Sequence, residues 1–342
     1  MTLLIGLLIF SFLVTGILIV PFINLLYTLR FQRRQQTTRD AFGKLTPIFD
    51  YFHGKKAGTP VGGGLLVIIV VSLLFSIILP LLRLGGLTVT EVYPIIDEVN
   101  VIFFTFISFG LLGLYDDLMK FFGKEKKFFG LRLRHKFVIQ WILALIVALL
   151  LYVNLKIDIL YIPFIGVFTL GIWFVPFAAF TTVSFANAFN VTDGLDGLAS
   201  GLLMIALFGF WVISASILDT PLSIFLALWL GSLIALLYFN VFPARIFLGD
   251  VGALAFGATL AVVGLLLGKI MALVVIGGIY IVEIASSLLQ LSYKRIYGKK
   301  LFSVAPAHLW LQHLGWEEPK IVSRAWLAGI MLAIFGVWLA VI

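Results

Sequence analysis

The chain has 342 residues, of which 62% are hydrophobic and only 12% are charged, and its mean hydropathy is +1.16. A water-soluble domain does not tolerate so apolar a composition, so these values predict a polytopic membrane protein and no nucleic-acid partner. The chain contains no cysteine. This excludes a disulfide framework and thiolate metal sites, so any metal must be bound by oxygen or imidazole ligands.

Ten apolar runs follow one another along the chain, and several are long enough to cross a bilayer core of about 30 Å. They lie near residues 3–29, 61–82, 99–115, 137–154, 160–183, 197–215, 221–240, 251–268, 270–291 and 325–342. No soluble domain or fixed-period repeat interrupts them. We therefore predict an all-α integral membrane protein of about ten transmembrane helices, formed as a single domain over residues 1–342. The first run lacks a basic leading segment and a small-residue cleavage site, and we interpret it as a retained helix.

The basic residues predict the orientation of these helices. Of the 24 lysines and arginines, 21 fall in one alternate set of loops, near residues 30–60, 116–136, 184–196, 241–250 and 292–324. The opposite set contains only Arg83, Lys156 and Lys269. Because positively charged loops stay in the cytoplasm, the first set is predicted to be cytoplasmic, and both termini are predicted to lie outside.

Carboxylates are concentrated at the predicted cytoplasmic ends of three helices. Five aspartates have this position: Asp116, Asp117, Asp193, Asp196 and Asp250. Acids that served only solubility would be spread through the loops. Helix capping explains an isolated aspartate, but it does not explain such a set. The sequence thus predicts a functional site at this face.

The stretch 187–201 combines two asparagines, two aspartates and several glycines. A helix that began near Thr192 would place Asp193 and Asp196 on one face. Gly197 and Gly201 would then form an edge that another helix can approach closely. The sequence predicts that this stretch is the centre of the site.

Oxygen ligands surrounded by lysines and arginines are typical of a hard-cation site that receives phosphates, and we predict that carboxylates bind Mg²⁺ there. Asp250 opens a helix whose N-terminus favours an anion. His308 and His313 are a weak metal signature, and no Walker or dinucleotide-binding glycine pattern is present. Glu283 lies well inside an apolar run, where an ionisable group is costly, and we predict that it pairs helices or supports a site residue.

Five ordered blocks of sequence resemble the phospho-N-acetylmuramoyl-pentapeptide transferase family. They are KKAGTPVGGG at 55–64, GLYDDLMK at 113–120, NVTDGLDGLA at 190–199, NVFPARIFLGDVG at 240–252, and PAH at 306–308 followed by GW at 315–316. The match covers about residues 20–330. The resemblance implies a ten-helix enzyme of the bacterial cytoplasmic (inner) membrane, often dimeric and surrounded by membrane lipid. It would transfer phospho-MurNAc-pentapeptide from UDP-MurNAc-pentapeptide to undecaprenyl phosphate, giving lipid I and UMP.

The resemblance also implies roles for particular residues. The family's magnesium ligand falls on Asp250, and its paired catalytic acids fall on Asp116 and Asp117. His308 matches a catalytic histidine. The substrate-binding positions fall on Lys56, Thr59, Lys136, Asn190, Asp193, Asp196 and Asn240.

One departure from the family pattern concerns the histidines. The family usually carries three consecutive histidines, whereas this chain has His308 followed by Leu309 and Trp310. We expect this change to affect the binding of the sugar-and-peptide end of the substrate more than the phosphoryl transfer itself. His313 would lie one helical turn beyond Leu309 and could partly replace a lost imidazole.

Three other functions are compatible with parts of the pattern. A sister transferase would move GlcNAc-1-phosphate; the 58–60 and 306–316 blocks favour the muramoyl branch. A transporter or channel would place charges near the membrane midplane, not at one face. A purely structural membrane partner leaves the five acids unexplained. The sequence leaves open whether the phosphoryl group moves in one step or through a covalent intermediate on an aspartate.

Overall fold

The computed structural model describes residues 1–33, 56–85, 89–122 and 133–342. Eight of the basic residues used above lie outside these ranges: Arg34, Arg39, Lys44, Lys55, Lys124, Lys126, Lys127 and Arg132. The described helices are α1 (Thr2–Thr28), α2 (Gly63–Leu84), α3 (Ile95–Phe122), α4 (Leu133–Val153), α5 (Phe174–Thr192), α6 (Leu198–Ser216), α7 (Thr220–Asn240), α8 (Gly249–Leu266), α9 (Ile270–Ile276), α10 (Gly278–Tyr297), α11 (Ala307–His313) and α12 (Glu318–Val341).

The prediction of about ten spans is confirmed in outline. Within the described ranges, nine helices are long and apolar enough to cross a membrane. The ninth apolar run is broken, because α9 and α10 meet at an angle of 73° and would together make a tenth span. The break falls at Gly277 and Gly278, where glycine disfavours a continuous helix.

The prediction of an all-α fold is wrong in one place. Strands β1 (Ile159–Ile162) and β2 (Gly166–Thr169) form an antiparallel hairpin at the start of the run predicted as one span over 160–183. Helix α5 begins only at Phe174 and continues to Thr192, into the predicted loop 184–196. β-Branched and aromatic residues make this segment apolar enough for a span, and the same residues favour strands.

The centre of the bundle is formed by α7 and α8, which are buried along most of their length. Phe106 on α3 packs against Trp229 on α7 and Phe256 on α8, with ring centroids 5.2 and 5.9 Å apart. The peripheral helices α1 and α12 instead expose apolar residues such as Ile17 and Met331. An apolar outer surface is what contact with lipid requires.

Small residues bring the site-bearing helices close together. A Cβ added to Gly113 of α3 would lie 2.1 Å from the carbonyl oxygen of Asp250 at the start of α8. A Cβ added to Gly64 of α2 would lie 2.2 Å from the Cα of Gly252, again on α8. Close backbone approach through glycine is the usual way for membrane helices to pack tightly. It places the end of α3 directly beside the start of α8.

We expect the Gly113→Ala substitution to separate α3 from α8, because its methyl group meets backbone, which cannot rotate away as a side chain can. Overpacking of this kind costs about 1–3 kcal/mol. The thermal unfolding midpoint of the detergent-solubilised protein should therefore fall. Gly110→Ala is the matched control one turn earlier, since its Cβ would clash only with the flexible end of Ile68 at 2.8 Å and would lie at an ordinary contact distance of 3.7 Å from the Ala255 Cβ. Equal midpoints for the two variants would contradict the packing argument.

Candidate active site

The predicted site residues gather at one end of the helix bundle. Asp116 and Asp117 lie near the end of α3, Asn190 lies near the end of α5, and Asp250 lies in the first turn of α8. Lys136 lies in the first turn of α4. Residues far apart in sequence therefore meet because their helices end or begin at the same face.

Two lysine ammonium groups lie among three carboxylates at this face. The Lys120 Nζ is 3.0 Å from Asp116 Oδ2, 2.8 Å from Asp250 Oδ2 and 3.9 Å from Asp117 Oδ1. The Lys136 Nζ is 2.9 Å from Asp116 Oδ2 and also contacts Asp250 Oδ2. We call these five side chains the acid–lysine cluster.

The two neighbouring acids of α3 have different partners. Asp117 Oδ2 accepts the backbone N–H of Val251 at 3.1 Å, so this carboxylate is held by the N-terminus of α8. Asp116 contacts both lysines. Adjacent helix positions point about 100° apart, which is why the two carboxylates approach α8 differently.

Asn190 joins the acid–lysine cluster from α5. Its Nδ2 donates to Asp250 Oδ1 at 3.3 Å. Asp250 therefore has partners from α3, α4 and α5 and links these helices at the site.

The donor chemistry of the cluster suits a hard divalent cation, because carboxylate oxygens are the ligands that Mg²⁺ prefers. Formal charges of three carboxylates and two ammonium groups leave one negative charge. Among the described residues, no three acidic or imidazole side chains are already arranged to hold a metal ion. A cation that entered would therefore have to share the carboxylates with Lys120 and Lys136.

The prediction that Asp193 and Asp196 share a helix face is wrong. Helix α5 ends at Thr192 and α6 starts at Leu198, so residues 193–197 form a turn between them. Gly197 has φ of 77°, a left-handed conformation that glycine adopts without strain. The two aspartates accordingly point to different partners.

The glycine edge predicted within this stretch is confirmed at Gly201. A Cβ there would lie 2.1 Å from the ring of Trp326 on α12. The Trp326 indole N–H donates to the carbonyl of Gly197 at 3.2 Å. Helix α12 therefore packs directly on the 193–197 turn and the start of α6.

Asp196 belongs to a second group of charges with Lys56 and Glu318. The Lys56 Nζ lies 2.6 Å from Asp196 Oδ1 and 2.6 Å from Glu318 Oε1, and it donates to the Gly194 carbonyl at 3.3 Å. Glu318 Oε1 also accepts the Asp196 N–H at 2.6 Å. The other Asp196 oxygen accepts the Ala244 N–H at 2.9 Å. These contacts attach the 193–197 turn to α12 and to the loop after α7.

Asp193 lines a cleft of about 210 Å³ at the same face. Residues that also line it include Arg33, Asp117, Lys120, Asn190, Asp196, Phe247 and Asp250. Burial raises the pKa of the Asp193 carboxyl to about 8, although the nearby Arg33 guanidinium opposes this shift. The cleft therefore carries both cationic and acidic groups and an aromatic ring.

Asn240 and Thr59, which were both predicted to bind substrate, form hydrogen bonds that hold backbone segments in place. The buried Asn240 donates to the carbonyl of Ile246 at 2.9 Å and accepts a hydrogen bond from Ser200, so it holds the loop between α7 and α8. The carbonyl of Thr59 accepts the N–H of Arg33 at 3.0 Å. This bond supports the segment that carries Arg33 to the cleft.

His308 lies behind the wall of the cleft. It is 2% exposed, and its Nδ1 lies 2.9 Å from Glu283 Oε2. Glu283 on α10 thus pairs with His308 on α11, and whether it supports a functional residue stays a prediction. His313 is exposed at the end of α11, and Leu309 is buried.

Four charged or aromatic residues of the cleft or of the Lys56 network were not predicted from the sequence: Arg33, Lys120, Phe247 and Glu318. Lys120 stands four residues after Asp116, a spacing that puts the two on one helix face and could have revealed it. Arg33 was hidden among residues interpreted as orientation signals. Glu318 is 122 residues from Asp196, and no local pattern connects them.

Comparison with known proteins gives a consistent family assignment. Residues 99–268 match the model of glycosyl transferase family 4. A phospho-N-acetylmuramoyl-pentapeptide-transferase of Clostridium perfringens is 36% identical over 316 residues, covering 92% of this chain and 91% of that protein. One from Leptospira biflexa is 36% identical over 312 residues, covering 82% of this chain and 80% of that protein.

We expect Lys56→Met to destabilise the protein strongly, because it removes the ammonium group that lies between the buried Asp196 and the partly buried Glu318. Breaking a buried ion pair from one side costs about 3–5 kcal/mol. The measurement is the thermal unfolding midpoint in detergent. Lys320→Met is the control, since Lys320 is exposed and lies over the Trp316 ring at 4.9 Å. If the unfolding midpoint of Lys56→Met is no lower than that of Lys320→Met, the ion pairs of Lys56 do not stabilise the fold and the argument is refuted.

Proposed function

Because this chain belongs to the phospho-N-acetylmuramoyl-pentapeptide transferase family, we propose that it transfers phospho-MurNAc-pentapeptide from UDP-MurNAc-pentapeptide to undecaprenyl phosphate. The products are lipid I and UMP, and the pathway is peptidoglycan synthesis. The observation that carries this proposal is the identity of 36% over 92% of the chain. The acid–lysine cluster supports it, because such a cluster suits the transfer of a phosphoryl group between two anions.

The proposed location is the bacterial cytoplasmic membrane, with the acid–lysine cluster on the cytoplasmic side. The distribution of lysine and arginine among the loops supports this orientation. The donor is a soluble nucleotide sugar and the acceptor is a membrane lipid. A site at the end of the helix bundle can receive one from water and the other from the bilayer.

The proposed cofactor is Mg²⁺, held by Asp250 with Asp116 or Asp117 as a neighbour. Bound there, the metal would neutralise charge on the diphosphate and stabilise the departing UMP phosphate. The acid–lysine cluster carries one formal negative charge without it, so a divalent cation would make the cluster positive. Lys120 and Lys136, which are already included in that sum, place their ammonium groups beside Asp250, where the phosphates would bind.

The chain's own groups would act mainly by positioning. The acceptor phosphate is largely ionised near neutral pH, with a second pKa of about 6, so it is a competent nucleophile. Asp116 or Asp117 could accept its residual proton. Arg33, Asn190 and Phe247 line the same cleft and would orient the donor.

A sister activity with UDP-GlcNAc as donor is the second candidate. Purified protein mixed with polyprenyl phosphate and Mg²⁺ should release UMP with UDP-MurNAc-pentapeptide and much less with UDP-GlcNAc. Preference for UDP-GlcNAc would favour the sister transferase. Failure to release UMP from either donor would refute both activities.

The Asp250→Asn variant is expected to lose turnover while it remains folded. An amide keeps the shape of the carboxylate but loses the charge that binds Mg²⁺. UMP release should be measured across a Mg²⁺ titration. Asp97→Asn is a control on the same protein, because Asp97 lies at the opposite end of α3 and accepts a hydrogen bond from Asn154 at 3.1 Å. Near-normal activity of Asp250→Asn at saturating Mg²⁺ would overturn the metal assignment.

The Asp116→Asn and Asp117→Asn variants should both be severe but unequal in kcat. Asp116 contacts two lysines, whereas Asp117 accepts a backbone N–H, so the two losses remove different interactions. Loss of a general acid–base group typically costs about 100-fold or more in rate. Single-turnover rates at saturating substrates provide the comparison. Equal and mild losses would show that neither acid takes part in the chemistry.

A further inference from the structure

Glu283 and His308 form a buried carboxylate–imidazole pair between α10 and α11. Glu283 Oε2 lies 2.9 Å from His308 Nδ1, and the same carboxylate accepts the His308 backbone N–H at 3.1 Å. The two residues are 5% and 2% exposed. One carboxylate therefore fixes both the backbone and the ring of His308.

The hydrogen-bond chemistry specifies which ring nitrogen carries a hydrogen. An ionised carboxylate only accepts hydrogen bonds, so Nδ1 of His308 must be the donor, whether the ring is neutral or charged. In the neutral ring, Nε2 is then the free acceptor nitrogen. The carboxylate thus selects a tautomer as well as an orientation.

The other edge of the ring lies against the 193–197 turn. A Cβ added to Gly194 would lie 2.3 Å from His308 Nε2 and 2.9 Å from Cε1. Gly194 and its neighbours Asp193 and Leu195 all line the cleft. The imidazole is therefore packed directly behind the cleft wall, with Nε2 toward it.

We infer that Glu283 is a positioning residue: it holds the His308 ring in the Nδ1–H form, with Nε2 directed at the 193–197 turn of the active site. This inference rests on the proposed function, since the turn matters for catalysis only if the cleft is the active site. Glu283 itself is not one of the described residues that line the cleft. It acts through His308.

Ser286 offers a matched control on the same helix. Its Oγ accepts the backbone N–H of Ala307 at 3.0 Å, one residue before His308. Ser286→Ala therefore loosens the start of α11 without removing the imidazole partner. Glu283→Gln keeps the length of the side chain but can no longer provide an ionised acceptor.

The first test measures the tautomer directly. The protein is labelled with ¹⁵N-histidine in detergent, and the His308 signals are assigned by their absence in His308→Gln. We expect the Nδ1–H form in the wild type and in Ser286→Ala, and a mixture of tautomers in Glu283→Gln. An unchanged His308 spectrum in Glu283→Gln would overturn the inference.

The second test measures kcat and KM for UMP release. At metal sites, loss of the carboxylate that orients a histidine ligand typically costs about 10–100-fold, and we use this as the scale for His308. We expect Glu283→Gln to lose kcat by this order, Glu283→Asp to recover part of it, and Ser286→Ala to stay within about twofold of wild type. A Ser286→Ala loss equal to that of Glu283→Gln would reduce Glu283 to a loop anchor and refute its positioning role.

The third test covers the case in which Glu283→Gln does not fold. Gly194→Ala should lower the unfolding midpoint in the wild type, where the new Cβ meets Nε2, and much less in a His308→Ala background, where the space is open. Equal effects in both backgrounds would refute the packed ring. The His308 tautomer and the unfolding midpoint can be measured without turnover. If the wild type releases no UMP, the proposed function is refuted, and these two measurements still decide whether Glu283 positions His308.

Discussion

The balance of charge in the acid–lysine cluster is the constraint on which the rest of the structure depends. Three carboxylates at the edge of an apolar bundle would repel one another and would be poorly hydrated. Two lysines, from the end of α3 and the start of α4, offset most of that charge. This arrangement requires α3 and α8 to touch at Gly113, since only backbone contact brings Asp117 to the N–H of Val251. The packing of α3 against α8 and the balance of charge at the site therefore depend on the same close contact between these two helices.

Much of the fold and the position of the site could be predicted from the sequence. A long apolar run predicts a membrane helix, because backbone N–H and C=O groups in lipid can form hydrogen bonds only within the protein. This rule was correct for nearly every run. The site could be located because carboxylates at several helix ends are too costly to be incidental. Asp116, Asp117 and Asp250 do meet, as their positions at helix ends suggested. Lys136 and Asn190, which only the family resemblance indicated, join them.

The remaining features depend on contacts that no local pattern encodes. Hydropathy does not distinguish a β-hairpin from the first half of a span, so the 159–169 segment was assigned wrongly. Helix α5 ends at Thr192 and α6 begins only at Leu198, so Asp193 and Asp196 lie in a turn and not on one helix face. The pairing of Lys56 with Glu318 joins segments 262 residues apart. Such ion pairs are formed by tertiary packing, and only the folded chain reveals them.

The altered histidine motif can be understood from helix geometry. His308, Leu309 and Trp310 are consecutive on α11, so their side chains point about 100° apart and cannot all face the cleft wall. His308 faces Gly194, Leu309 is buried, and Trp310 is 39% exposed beside Phe302, with ring centroids 6.0 Å apart. The apolar replacements thus occupy an interior position and a surface position. His308 has both a carboxylate partner and a contact with the 193–197 turn, so in this chain one imidazole lies against the cleft wall although the next two positions are apolar.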